Sequence, residues 1–384
     1  MNEIYLDHAA TSHPKPFEVI SAVVNALSQK NANPGRSGYP RAIRASNEIY
    51  EARRVIAKVL NAPDPMDIAF TYNCTDAINL AIRGVLKTGD HVIASSLEHN
   101  SVLRVLGEME RQGMIEFDLV MPRESGYVDP KDYIKRMKRN TALMILTHAS
   151  NVTGAVQPVE AVGCIAKSFA IPYLIDGAQA AGEREIDLRK CGCDLYAFAG
   201  HKGLLGPQGT GGLYIKSGFP IKPFRVGGTG SASESIYQPM DVPDRYEAGT
   251  MNLPGICGLM EGAKYVIKHK GEIFKNIRSL TNELYDGLKA IKGVTVYTPE
   301  NENYRTGVVS FNVNDLFSQD AAQKLSENGF CVRSGLHCAP FAHEFLKTKA
   351  RGAVRASVGY SNKPSDIEAF IENVYMLTKT QGST

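Results

Sequence analysis

No stretch of this 384-residue chain is apolar over the roughly 20 residues needed to cross a bilayer; runs such as Ala142 to Leu146 are far shorter. The segment Met1 to Thr11 has neither a basic start nor a long apolar stretch, so no secretory leader is expected. Basic runs and basic–aromatic stripes are missing too. Lys and Arg number 43 against 40 Asp and Glu, for a formal charge of +3, so nucleic acid is not the expected partner. Fixed-period repeats and low-complexity segments are absent. Seven cysteines are an odd number scattered along a long chain. That argues against a disulfide framework and for a reducing compartment, with the cytoplasm as the expected location and no membrane partner.

What is present is ordinary globular composition, 43% hydrophobic and 22% charged, in a chain long enough to bury a large core without staples. Short apolar runs alternate with amphipathic stretches. Ile68 to Tyr72, Asp90 to Ser95, Ala142 to His148 and Ile171 to Asp176 read as strands. Cys74 to Val85, Asn100 to Gln112 and Val159 to Phe169 read as helices between them. This alternation predicts βαβ units and an α/β fold with a mainly parallel sheet covered on both faces. Phe219 to Pro254, rich in Gly, Pro and Ser, reads as loops. Ile256 to Lys270 and Ile273 to Ile291 read as two helices, Val308 to Val313 as a strand, and Pro364 to Lys379 as a final helix with cap candidates at Ser361 to Ser365. A domain boundary is placed near residue 265.

The strongest local signal is Ala197 to Gly212, A-F-A-G-H-K-G-L-L-G-P-Q-G-T-G-G. It is not a phosphate-binding P-loop, because Lys202 precedes most of the glycines. A lysine held away from water has a lowered pKa and can form a Schiff base; a surface lysine beside a turn is the competing reading. Upstream, Asp176 ends an apolar strand, where α/β proteins place ligand-binding groups. It can pair with a pyridinium nitrogen or cap a following helix, since Gly-Ala-Gln-Ala-Ala follows it.

These residues resemble a family. Asp176-Gly-Ala-Gln179 followed by Gly200-His201-Lys202 is similar to the pyridoxal-phosphate motif of class V aminotransferases, the group that includes cysteine desulfurases. Tyr5 to Thr11, Cys74 to Asn79, Glu98-His99-Asn100, His148 to Gly154, Arg333 to Ala339 and Arg355-Ala356-Ser357 resemble further segments of that family in the same order. The resemblance implies fold type I of the pyridoxal-phosphate-dependent transferases: a large domain with a mainly parallel mixed sheet, residues 14–264, and a smaller α+β domain from residues 1–13 and 265–384. It implies a homodimer in which Thr250 reaches the neighbouring subunit's phosphate.

The resemblance also assigns roles. Lys202 would tether pyridoxal 5'-phosphate, Asp176 pair with its ring nitrogen, and His99 stack on the ring. Asn151 and Gln179 would face the phenolic oxygen, with Cys74, Thr75 and His201 near the phosphate. Arg355 would take the substrate carboxylate, with Asn151, Ala9 and Arg333 also on the substrate side. Cys338 would be the nucleophile that removes sulfur from L-cysteine, leaving L-alanine and passing the sulfur to an acceptor protein, with His337, Arg333 or the substrate itself helping it to ionise. Selenocysteine lyase, cysteine-sulfinate desulfinase and a class V aminotransferase remain open alternatives, as does a non-catalytic cofactor-binding scaffold. No metal is expected: Cys191-Gly-Cys193 lacks a second ligand pair, and His343-Glu344 lacks a spaced second histidine. Cys164, Cys257 and Cys331 read as core residues.

Overall fold

The structure, a computed structural model, describes residues 3–35, 38–124 and 126–379. In chain order its strands are β1 (Ile4–Tyr5), β2 (Ile68–Thr71), β3 (Asp90–Ser95), β4 (Ile115–Val120), β5 (Thr141–Thr147), β6 (Tyr173–Asp176), β7 (Leu195–Ala199), β8 (Gly211–Ile215), β9 (Val294–Val296), β10 (Val308–Val313), β11 (Phe330–Cys331), β12 (Arg333–Gly335) and β13 (Ala353–Ser357). The α-helices are α1 (Phe17–Ser28), α2 (Pro40–Leu60), α3 (Cys74–Val85), α4 (Asn100–Arg111), α5 (Pro130–Lys135), α6 (Val159–Ser168), α7 (Leu188–Cys191), α8 (Leu253–Ala290), α9 (Ser318–Glu327), α10 (Pro340–Phe345) and α11 (Pro364–Lys379).

Seven strands form the main sheet in the order β2-β8-β7-β6-β5-β3-β4. Neighbours are parallel except where β8 runs antiparallel to β7 and β2. The expected mixed, mainly parallel sheet is thus observed. Successive strand residues serve opposite faces: Tyr196 and Phe198 pack with α1, α2 and the start of α8, while Leu195, Ala197 and Ala199 pack with α3 and α4. Both faces are buried, which is why these strands read as unbroken apolar runs. Strands β12-β13-β10-β9 make a smaller antiparallel sheet. With α9, α11 and the far half of α8 it encloses a third core.

The two helices read over 256–270 and 273–291 are one, α8, 38 residues or about 57 Å long. Lys-His-Lys-Gly at 268–271 lies at the junction of the two ranges. Gly271 instead sits exposed in mid-helix with open space around it, a position that costs only about 1 kcal/mol relative to alanine. Burial at both ends offsets that cost, since α8 contributes Ile256, Leu259 and Ala263 to the first core and Leu280, Leu284 and Leu288 to the third. A second correction concerns Cys164, which lies in α6 as expected but on its exposed side. Cys257 is buried and Cys331 half-buried. Cys191 and Cys193 are buried in the first core. Among the described residues no group of three or more His, Cys, Asp or Glu is placed to hold a metal ion, and no helix is long and apolar enough to cross a membrane.

A buried ion pair fixes the edge of the main sheet. Arg53 of α2 donates through Nη1 to Glu247 Oε1 at 2.7 Å and through Nη2 to Glu247 Oε2. Glu247 Oε1 also accepts from Phe70 N at 2.6 Å, so one carboxylate ties α2, β2 and the loop before α8 together. Removing one partner leaves the other charge buried and unpaired. Glu247→Ala is therefore expected to lower the unfolding free energy by about 3–5 kcal/mol, read from urea titration; a loss below about 1 kcal/mol would mean that water already screens the pair.

Candidate active site

The loops leaving the carboxyl ends of β3, β5, β6 and β7 converge on one side of the sheet, where open α/β sheets bind ligands. With α3 and the N-terminal segment they enclose a cavity of about 230 Å³. The turn after β7 carries Lys202. Gly200 makes that turn possible: a Cβ there would stand 2.2 Å from Thr210 Oγ1. Gly200 N donates to Thr210 O at 3.0 Å, and Gly206 N to Gly200 O at 2.8 Å. Lys202 lines the cavity; its carbonyl accepts from Leu205 N at 2.8 Å, while its Nζ makes no hydrogen bond or ion pair with any described residue. Burial lowers its pKa, against the opposing pull of Cys74 and Asp176, so it tends toward a free amine.

Asp176 ends β6 at 3% exposure. Its Oδ1 accepts from Ala178 N at 3.0 Å and from Cys74 Sγ at 3.6 Å. No α-helix follows it, so the helix-cap reading fails: residues 177–184 form turns, and the carboxylate caps only the first of them. Burial, then the nearby Asp176 charge, pushes the Cys74 thiol well above its usual pKa; it packs as a neutral group. Cys74 and Thr75 open α3, whose N-cap Asn73 accepts from Asp76 N at 2.9 Å. The N-terminal dipole of α3 favours an anion there. His201 lines the same cavity, with its Nδ1 buried and unpartnered.

His99 is the N-cap of α4. Its Nδ1 accepts from Ser101 N at 3.0 Å, which leaves the ring proton on Nε2. Burial lowers its pKa to about 4, so the ring is neutral. Beneath it, Glu98 is fully buried. Its Oε1 accepts from Ser95 Oγ at 2.6 Å and Thr147 N at 2.7 Å, and burial pushes its pKa up to about 8. Gln179 Nε2 donates to Ala9 O at 3.0 Å, and Gln179 Oε1 is buried without a partner.

Arg355 of β13 is 1% exposed. It donates through Nη1 to Asn151 O at 3.0 Å and through Nη2 to Asp7 Oδ1 at 2.9 Å, while its Nε has no partner. Asn151 Nδ2 donates to His337 O at 2.6 Å. Asn100 N, in the first turn of α4, donates to Cys338 O at 2.7 Å. These two bonds hold a turn in which His337 and Cys338 both have positive φ, 47° and 58°, a conformation costing roughly 1–2 kcal/mol per non-glycine residue. Cys338 is half-buried; the cavity is lined by its neighbours His337 and Arg333 rather than by its own side chain. Arg333 Nη2 donates to Cys338 Sγ at 3.9 Å. His337 is unsuited to helping the thiol ionise. Its Nε2 donates to Ala353 O at 3.0 Å, and burial drops its pKa to about 2.

Eleven of the residues singled out from the sequence, Lys202, His99, Cys74, Thr75, Asn151, Asp176, Gln179, His201, Ala9, Arg333 and Arg355, therefore face one cavity. Thr250 does not. It is exposed, and its carbonyl accepts from Tyr72 Oη at 3.3 Å, just ahead of α3. The sequence analysis gives no role to Asn73, nor to Asp7 and Glu98 within the segments Tyr5 to Thr11 and Glu98-His99-Asn100. Of these only Asn73 carried a local signal, the Asn-x-x-Asp spacing of a helix start. The unpartnered amine of Lys202 and the orphaned Gln179 Oε1, His201 Nδ1 and Arg355 Nε are unmet polar groups of the residues lining the cavity. They fit an aromatic aldehyde phosphate: an amine for the aldehyde, a carboxylate for a ring nitrogen, a helix N-terminus for the phosphate.

The comparisons with known proteins agree. A family model described as aminotransferase class-V matches residues 4–370. A protein named "Probable cysteine desulfurase" in Methanothermobacter thermautotrophicus is 36% identical over 381 residues, 97% of this chain and 94% of that protein. A cysteine desulfurase of Yersinia pseudotuberculosis is 30% identical over 99% of this chain and 94% of its own. The apo structure of a cysteine desulfurase from Thermococcus onnurineus superposes with a TM-score of 0.92 at 32% identity, covering 98% of this chain and 95% of that one.

Proposed function

The chain belongs to the class-V aminotransferase family, and on that premise we propose that it is a pyridoxal 5'-phosphate-dependent cysteine desulfurase. The observation that carries this reading is Arg333 Nη2 beside Cys338 Sγ, at the rim of a cavity holding an unpartnered lysine. Pyridoxal phosphate, when bound, supplies an electron sink for negative charge at the amino-acid Cα. Lys202 Nζ would tether the cofactor, and its amine would carry the proton to and from the amino-acid Cα. Asp176 would hold the ring nitrogen's proton. Thr75, His201 and the α3 N-terminus would bind the phosphate, neutral His99 would offer its ring face, and Asn151 and Gln179 would stand toward the phenolic oxygen.

Arg355 takes the substrate carboxylate with its fork of donors. Arg333 Nη2, donating to Cys338 Sγ at 3.9 Å, holds that sulfur at the rim of the cavity. Cys338 Sγ then attacks the substrate sulfur. One S–S bond forms as the substrate C–S bond breaks, and L-cysteine plus thiol become L-alanine plus persulfide. An acceptor protein would collect that sulfur. The exposed apolar stripe Phe17, Ile20, Val24 and Leu27 on α1, with Ile236 and Tyr237 in the loop before α8, supports a homodimer, in which Thr250 serves the neighbouring site. The unpaired state of all seven cysteines supports a cytoplasmic location.

The test is incubation with L-cysteine, measuring alanine and protein-bound persulfide together. Equal first-turnover amounts of the two are expected. Keto acid formed in place of alanine would make the chain an aminotransferase, and neither product would make it a scaffold. In the same assay Arg355→Lys is expected to raise KM for cysteine about 10- to 100-fold, since lysine keeps the charge but loses the fork; an unchanged KM would remove Arg355 from substrate binding.

A further inference from the structure

A second opening lies where the middle of α8 passes from the first core to the third. It shares no lining residue with the Lys202 cavity. This open cleft of about 420 Å³ is within the size range of small-molecule sites. Four cations line it, Arg184, Lys275, Arg278 and Arg305, against two carboxylates, Glu183 and Glu185.

The carboxylates do not neutralise the cations. Glu185 is exposed and pairs with Lys270, outside the cleft, at 3.3 Å. Burial pushes Glu183 up to about 7, so near neutral pH much of it carries a proton. Arg184 gives its Nη1 to Arg305 O at 3.2 Å and its Nη2 to Asn303 O at 3.0 Å, and carbonyl partners leave its charge intact. The side chains of Lys275 and Arg278, in mid-α8, make no hydrogen bond or ion pair with any described residue.

Arg305 points to a ligand most directly. It is only 7% exposed and lies over the Tyr285 ring at 4.3 Å. Its Nη1 donates to Pro299 O at 3.2 Å and its Nη2 to Asn282 Oδ1 at 2.6 Å, yet its Nε is buried with no partner. Asp286 and Glu302 attract it from a distance, but burial outweighs them and its pKa falls. A buried donor of a charged group left unmet is costly, and the guanidinium charge in the wall of the cleft favours an oxyanion there.

We propose that this cleft binds a small molecule carrying two or more oxyanion groups, a phosphate ester or a polycarboxylate, with Arg278, Lys275 and Arg305 as its counter-charges. Guanidinium forks match such oxyanions in geometry as well as charge, and Phe274 and Ile277 give an apolar wall for the organic part. The site needs nothing from the desulfurase reading.

The test is calorimetric titration of the cofactor-loaded protein with sodium pyrophosphate and, separately, sodium citrate, at ionic strength matched with sodium chloride. One saturable site per chain is expected for at least one of the two, with Kd on the order of 1 mM or tighter; which one binds more tightly separates the two ligand sources. Arg278→Glu and Lys275→Glu, both exposed positions on α8, are each expected to weaken binding tenfold or more with alanine formation from cysteine unchanged. Lys264→Glu, exposed on the same helix outside the cleft, is expected to bind as the wild type does. Absence of saturable binding by both anions, or wild-type affinity in Arg278→Glu and Lys275→Glu, overturns the proposal.

Discussion

Cys338→Ser is expected to abolish persulfide and to cut alanine formation from cysteine by on the order of 10³-fold or more, while the cofactor's visible absorbance and the unfolding midpoint stay as they are. The reasoning separates chemistry from scaffold. The turn that carries Cys338 is held through main-chain atoms: Asn151 Nδ2 on His337 O at 2.6 Å and Asn100 N on Cys338 O at 2.7 Å. Both bonds survive a change of side chain, and serine adopts the required positive φ no less readily than cysteine. What disappears is the sulfur that Arg333 faces at 3.9 Å. A hydroxyl there is neither ionised at neutral pH nor able to form an S–S bond. Arg333→Ala gives the matching control: with Cys338 kept and its Nη2 donor gone, persulfide formation is expected to fall several-fold while the cofactor's visible absorbance stays as it is. Alanine produced by Cys338→Ser at the wild-type rate would transfer the chemistry to another group.

How legible the molecule was in its sequence follows the range of the forces involved. Elements set by local pattern were read to the residue: Cys74–Val85, Asp90–Ser95 and Val308–Val313. α2 was passed over although Pro40 stands at its first turn, a proper start signal. β8, emerging from the glycine-rich loop, gave too short an apolar run to suggest an antiparallel strand between two parallel neighbours. The reading of α8 as two helices misses that two cores at opposite ends of one helix decide the matter. Cys164 was placed in the right helix but on the wrong face, since one thiol in a mixed segment does not define the buried stripe. At the site, family motifs brought the right residue types to one cavity. The pairings that tune them span the chain: Arg355 with Asp7, and Asn151 with His337. Sequence spacing carries no trace of those contacts. Nor does it show that Glu98 lies fully buried with one carboxylate oxygen unpartnered.

Lys202→Ala is expected to act in opposite directions on activity and on stability. Alanine formation should fall by on the order of 10⁴-fold or more, because the substitution removes both the tether and the proton carrier, and general acid–base transfer alone contributes about 10²–10⁴-fold. The visible absorbance of the tethered cofactor should vanish with it. The folded cofactor-free protein loses nothing, however. Lys202 Nζ has no hydrogen-bond or ion-pair partner among the described residues, and burial acts against its charge. Removing an amine that burial already pushes toward its neutral form, and that has no hydrogen-bond or ion-pair partner, is neutral or stabilising. The unfolding midpoint of cofactor-free Lys202→Ala is therefore expected to equal or exceed that of the wild type by up to about 2 °C, in contrast to the loss at Glu247. Both numbers come from one preparation, by thermal melts before and after cofactor loading and by alanine release. A midpoint several degrees lower would mean that Lys202 is paired in solution and not waiting for an aldehyde. Retained absorbance would place the tether on a different amine.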